Sequence, residues 1–331
     1  MSGPPFTGAA HERLADVGRG VTLCFERIGD PGATPLLLVA GLGQQLHAWP
    51  TALCTELAEA GFTVYRFDNR DAGRSTHHPD QPPPGLWAML TGRHGRDGYR
   101  LPDMARDTVG LIDALELGSV HLAGMSMGGM IAQTVAAHAP ERVRSLSSLI
   151  STTGARDAGR LAWSTWPRMF APPPGDRSAA GRAAVAFYRH IGAHGFDLDE
   201  DWIRAEAEAS WDRDPGPSAA AGTGRQLAAI LGSGDRTAEL ARIDVPTLVV
   251  HGDRDRMVHP SGGEATRRAI PGARAVTVAG MGHDLPHETW PRLVAEIRAV
   301  ADEGERRRAA PAVPDPIPPA RPVERTQQEV R

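Results

Sequence analysis

Short, continuous apolar runs recur along this chain, and most are followed by a stretch with helical spacing. Such runs read as strands buried on both faces, and their alternation with helices demands a mostly parallel sheet covered on both sides. The runs lie at 35–40, 62–67, 118–124, 143–150 and 245–251, with further strands expected at 21–27 and 274–278. Helices are expected at 50–61, 101–117, 127–138, 261–270 and 288–302. The expected fold class is therefore α/β, a twisted parallel sheet with helices on both faces. Ligands in such sheets sit at the carboxyl ends of the strands.

Between 152 and 240 the strand patterns vanish, Ala-rich helical stretches dominate, and Trp163, Trp166, Trp202 and Trp211 appear. This segment reads as a helical lid inserted into a core formed by 16–151 and 241–302. Residues 1–15 read as a flexible leader. Residues 303–331 carry Pro at six positions and few large apolar side chains, so a disordered Pro-rich tail is expected. A second insertion, rich in Pro, Gly and His, covers 77–101, and its stretch 82–90 is expected at the entrance of the site.

Composition removes several functions. The formal net charge of the 331 residues is −4, which provides no global basic field for nucleic acid. No run approaches ~18 apolar residues, so no integral membrane segment is expected. The first residues lack a charged stretch followed by an apolar run, so no secretory signal is expected. Cys24 and Cys54 lack CxxC spacing and read as buried thiols of a cytoplasmic protein. Every strongly basic side chain is Arg, which excludes lysine Schiff-base and Ser–Lys chemistry.

The motif Gly124-Met125-Ser126-Met127-Gly128 matches G-x-S-x-G and stands between an expected strand and an expected helix, the context that motif requires. A nucleophile on so sharp a turn needs small neighbours, and the helix N-terminus behind it favours negative charge on a reacting oxygen. Ser126 is the expected nucleophile. A serine hydroxyl needs a base, and the base needs an orienting group; in this kind of scaffold the chain order is Ser, acid, His. Gly282-His283 follows the last strand, which makes His283 the expected base, with His287 as its rival. The acid comes from the loop His251-Gly252-Asp253-Arg254-Asp255, where either aspartate could reach the imidazole. The oxyanion of a tetrahedral intermediate needs N–H donors. Met127 supplies one, and Leu42 in the Gly41-Leu42-Gly43 loop is expected to supply the other. Gly41, Met125 and Trp163 are expected to line the substrate pocket.

No HExxH or CxxC is present, and no GxGxxG opens a helix after a strand, so neither metal nor cofactor is expected. The pairs His190/His194 and His283/His287 have i, i+4 spacing. The first has no Glu beside it, and Pro286 interrupts the second.

Five motifs now stand in order: AGLG at 40–43, FDNRDAGRST at 67–76, GMSMGGMIAQ at 124–133, HGDRDRMVHP at 251–260 and GMGHDLP at 280–286. Over residues ~20–300 this set resembles the α/β-hydrolases, and within them the branch with actinobacterial anthracycline methyl esterases and mycobacterial carboxylesterase/lipase-like proteins. The resemblance implies an α/β-hydrolase fold and a serine hydrolase acting on small-molecule carboxylic esters. It also implies Ser126, Asp255 and His283 as triad, with Leu42 and Met127 as oxyanion donors. It implies that 68–76 is a structural turn held by Asp–Arg pairs. Ala40 departs from the pattern, because many relatives carry His there. Two other activities remain compatible with these residues. One is lactone or C–C bond hydrolysis, or perhydrolysis, by the same triad; the other is non-catalytic ligand binding. The oligomeric state is not legible in the sequence.

Overall fold

The computed structural model describes residues 11–81, 98–169 and 171–309. The expected insertion at 82–90 and the part of the tail past Ala309 lie outside these residues. Among the described residues, eight strands form one sheet in the order β1-β2-β4-β3-β5-β6-β7-β8. They are β1 (Arg13–Asp16), β2 (Thr22–Ile28), β3 (Thr34–Val39), β4 (Phe62–Phe67), β5 (Val120–Met125), β6 (Val143–Leu149), β7 (Thr247–Gly252) and β8 (Arg274–Val278). β1–β2 and β2–β4 pair antiparallel, and every other pair is parallel.

The apolar runs became the central strands for the reason their composition suggests. Alternate side chains of a strand face opposite sides. Leu37 and Val39 of β3 enter one core with Leu122, Leu111 and Ile131, whereas Leu36 and Leu38 enter the other with Leu53, Leu57 and Ile297. The first core is covered by α2 (Leu101–Ala114) and α3 (Met127–His138), the second by α1 (Thr51–Glu59) and α10 (Trp290–Ala309). Between β6 and β7 run α4 (Trp166–Met169), α5 (Arg177–Ile191), α6 (Glu200–Arg213), α7 (Pro217–Ser233) and α8 (Thr237–Leu240); α9 (Ser261–Ala269) links β7 to β8. Both cysteines are free and buried, and burial pushes the Cys54 thiol up to about 11.

Two boundaries differ from expectation. The stretch read as leader already contains most of β1, and Glu12 just before it accepts hydrogen bonds from Arg74 and Arg213. The tail expected to begin at Glu303 starts instead as helix, because α10 continues to Ala309. Glu305 explains the extension: its carboxylate meets His121 Nε2 at 3.0 Å and Arg144 at 2.9 Å. The composition that suggests disorder is set by the prolines beyond this point. A chain truncated at Asp302 is expected to lose about 1–3 kcal/mol of stability by urea unfolding, as these charge-assisted bonds disappear.

The turn at 68–76 is held by ion pairs, but their partners lie far along the chain. Asp68 pairs with Arg213 at 2.6 Å, Asp71 with Arg225 at 2.6 Å, and Arg70 with Asp107. These buried pairs tie the carboxyl end of β4 to α2, α6 and α7.

Candidate active site

Ser126 stands between β5 and α3 with φ 54° and ψ −120°, a conformation that non-glycine residues rarely adopt. The turn is possible because α3 presses directly onto the sheet. A Cβ on Gly128 would lie 2.1 Å from the Val39 carbonyl oxygen, so only glycine fits. The Ser126 N–H donates to Leu149 O at 2.9 Å, and Ser151 Oγ donates to Ser126 O at 2.8 Å. Both contacts come from the neighbouring strand β6 and its loop, so the turn is over-determined.

Ser126 Oγ lies 2.9 Å from His283 Nε2, and His283 Nδ1 lies 2.7 Å from Asp255 Oδ2. The loops after β5, β7 and β8 supply one residue each. Asp255 is 4% exposed, and its Oδ1 accepts the Met257 and Val258 N–H groups, each at 2.8 Å. Burial would raise its pKa. The adjacent His283 and the hydrogen bonds from His251 and His283 outweigh this and hold the carboxyl well below the ordinary carboxylate range. The aspartate is therefore ionised at neutral pH. Asp253, the other aspartate of the loop, points elsewhere: its Oδ1 accepts the Gly280 N–H at 2.7 Å and so caps the turn leading to His283. His287 follows Pro286 in a short helical turn and its ring packs on Trp290, 4.6 Å between centroids. His251 Nε2 lies 2.8 Å from Val258 O and 3.3 Å from Asp255 Oδ2, behind the acid.

Met127 is the first residue of α3, so its N–H has no carbonyl one turn back to receive it. Leu42 lies on the loop after β3. There the Gly41 N–H donates to Gln44 Oε1 at 2.9 Å, and Ala40 O accepts from Asn69 Nδ2 at 3.0 Å.

Ser126 and His283 open into a cavity of about 850 Å³, a size that holds a drug-sized ligand. Its apolar wall includes Leu42, Met125, Ile150, Met257 and Leu285, with Trp202, Trp211 and Trp290 beyond. Helices α5, α6 and α7 all contribute to this lining. Met125 is where the sequence places it. Trp163 is not: it is 90% exposed and stands away from the cavity. Its neighbourhood is aromatic, but α4 and the turn before it turn the indole outward. Gly41 sits behind the cavity wall, with the space beside its Cα taken by Gln44 and Ser126. Polar side chains of the wall that were not foreseen include Tyr188, Glu206 and Asp284. Burial pushes the Glu206 and Asp284 carboxyls up.

Among the described residues one acid–imidazole group has metal-compatible spacing, Glu12, Glu26 and His47. Arg66, Arg74 and Arg213 already occupy these carboxylates, so the group reads as an ion-pair network.

A family model described as the alpha/beta hydrolase fold matches residues 34–288. The chain belongs to the α/β-hydrolase family. Within that family it is 30% identical over 312 residues to the rhodomycin D methylesterase DauP of Streptomyces sp. (strain C5), covering 84% of this chain and 94% of that one. It is 29% identical over 309 residues to the rhodomycin D methylesterase DnrP of Streptomyces peucetius, with the same coverage. Among solved structures it superposes on the enol-lactonase of Burkholderia xenovorans LB400 with a TM-score of 0.64. That pair shares 21% identity and covers 87% of this chain and 98% of that one. These α/β-hydrolases share the fold, and the activity must be argued from the site.

Proposed function

We propose that this α/β-hydrolase is a serine esterase that cleaves carboxylic esters of bulky apolar acids, methyl esters included, through an acyl-enzyme. The carrying observation is the unbroken line Ser126 Oγ, His283 Nε2, His283 Nδ1, Asp255 Oδ2, with contacts of 2.9 Å and 2.7 Å, opening into an apolar cavity. The names of the two methylesterase relatives support the choice of an ester over other acyl compounds.

The chemistry follows from that line. His283 takes the Ser126 proton as Oγ attacks the ester carbonyl. Asp255 holds the proton of Nδ1, keeps Nε2 free as acceptor and stabilises the imidazolium. The Leu42 and Met127 N–H groups receive the oxyanion, and the α3 N-terminus adds its dipole. His283 then gives the proton to the leaving alcohol, and water releases the acid by the same relay. The aromatic wall takes the acyl part, and the helices over the cavity serve as a lid that excludes water.

A hydrolysis panel tests this reading. It contains p-nitrophenyl esters of rising acyl length, methyl esters of aryl and polyketide acids, and a lactone. Turnover is expected on methyl esters of bulky acids and is expected to vanish in Ser126→Ala. No ester turnover, with a fluorophosphonate still labelling Ser126, would overturn the ester assignment in favour of lactone or C–C hydrolysis. No labelling would leave a ligand-binding protein.

A further inference from the structure

The loop that carries Leu42 is pinned one peptide plane at a time. The Gly41 N–H is bonded to Gln44 Oε1 at 2.9 Å, and the Gly41 carbonyl accepts the Gln44 N–H at 3.2 Å. In a trans peptide N–H and C=O point in opposite directions. With the Gly41 carbonyl turned into the Gly41–Gln44 turn, the Leu42 N–H of the same plane must face out of it. The next plane is held as well: the Gly43 N–H donates to Gln226 Oε1 at 2.8 Å.

The helices over the cavity supply the Gly43 anchor and also hold the two glutamines of the loop. From α5, Tyr188 OH accepts from Gln44 Nε2 at 3.2 Å. From α6, Ser210 O accepts from Gln45 Nε2 at 2.9 Å, and Arg213 donates to Gln45 Oε1. From α7 come Gln226 and Thr223. Gly43 has φ +66°, and a Cβ there would lie 2.6 Å from Thr223 Oγ1, so α7 rests on the loop itself. Gln226 is fully buried (0% exposed), and its Nε2 donates to Arg70 O at 2.8 Å. One amide thus bridges the loops at the carboxyl ends of β3 and β4. Gln226 is not part of the cavity wall, so it cannot act by touching a substrate.

We infer that Gln226 is a positioning residue for the oxyanion hole. From α7 it holds the Gly43 peptide and thereby the direction of the Leu42 N–H, so the helices over the cavity govern stabilisation of the transition state as well as substrate fit. This inference rests on the reading of Ser126 as nucleophile and Leu42 as donor.

The test uses the full chain with Gln226→Met, which keeps the side-chain length and removes both hydrogen bonds, and Gln226→Glu, which keeps an acceptor for Gly43. Ester turnover is read together with inhibition by an aryl trifluoromethyl ketone and by the matching carboxylic acid. With the ketone, Ser126 Oγ bonds to the carbonyl carbon, the C=O π pair moves onto oxygen, and the serine proton passes to His283. The resulting alkoxide occupies the oxyanion hole, whereas the carboxylic acid reports ground-state fit.

Gln226→Met is expected to lower kcat by about 10- to 100-fold, the cost of a donor displaced by a fraction of an ångström to one ångström. KM and affinity for the acid should stay within about threefold of wild type, and ketone affinity should fall by the same factor as kcat/KM. Gln226→Glu should recover most of the ketone affinity. If Gln226→Met does not fold, Gln226→Glu carries the test, because a loss of ketone affinity in it of more than about tenfold would overturn the inference. So would a folded Gln226→Met with unchanged kcat, or one in which ketone and acid affinities fall together. Ser126→Ala run in parallel separates the two levels. Turnover surviving there overturns the esterase reading and this inference with it; turnover lost there while Gln226→Met stays fully active overturns this inference alone.

Discussion

Ser126→Ala is expected to lower kcat on the preferred methyl ester by about 10⁴- to 10⁶-fold, with KM little changed and fluorophosphonate labelling abolished. The size follows from the connectivity of the site. Without Oγ the imidazole has no proton to take, and the chain from Asp255 to the substrate ends one atom short. What survives is binding and the oxyanion donors, which act without the nucleophile. The removed hydroxyl supports no other element, because the turn is held through Ser126 backbone groups by Leu149 and Ser151. The melting temperature should therefore stay within a few degrees of wild type. A variant that is folded and retains a tenth of the activity would remove Ser126 from the mechanism.

Asp255→Asn is expected to lower kcat by about 10⁴-fold through the tautomer it imposes. Oδ1 of residue 255 accepts two N–H groups, from Met257 and Val258, so an Asn must keep its oxygen there. Its NH₂ then faces His283 Nδ1. Nδ1 must accept that hydrogen bond, the ring proton moves to Nε2, and the nitrogen facing Ser126 can no longer receive a proton. The geometry survives while the chemistry stops. The carboxyl of Asp255 is held below the ordinary carboxylate range, so its titration lies outside the acid limb of a kcat/KM profile near neutrality. The sign is fixed: a lowered folded-state pKa contributes stability above the unfolded value and loses it as pH falls through the folded one. Wild type and Asp255→Asn should therefore converge in stability only in strong acid, as followed by thermal unfolding at pH 7 and below pH 3. Full activity of Asp255→Asn together with an inactive Asp253→Asn would exchange the roles of the two aspartates.

Much of the frame was legible because it depends on local periodicity. The run 62–67 is β4 and the helix 127–138 is α3, residue for residue, since alternation of buried runs and amphipathic segments is a property of neighbours in the chain. The strand–turn–helix setting of Ser126 is local in the same sense. The aromatic wall was legible only in kind: Trp202 and Trp211 reach the cavity, while Trp163, with the same chemistry, faces solvent. Which face of a short turn points inward depends on how α4 docks, and no periodicity extends over so few residues. The C-terminal boundary failed for a related reason. Composition after Glu303 favours disorder, but Glu305 finds His121 and Arg144 far back in the chain.

The sequence by itself determined the α/β class and placed Ser126, the two aspartates and His283 after the ends of strands. Those are consequences of spacing and chain order. The residues alone left Asp253 and Asp255 open and the resemblance pointed to Asp255; the tertiary structure sets Asp255 against His283 and Asp253 on the Gly280 turn. It alone brought Gln226 onto the Gly43 peptide across 183 residues of chain. A Gln beside an Arg in an Ala-rich helix is a visible polar interruption, yet its partner is a backbone N–H, and every residue but proline offers one. Long-range contacts with backbone groups leave no mark on the residue contacted, so they become readable only once the chain has folded.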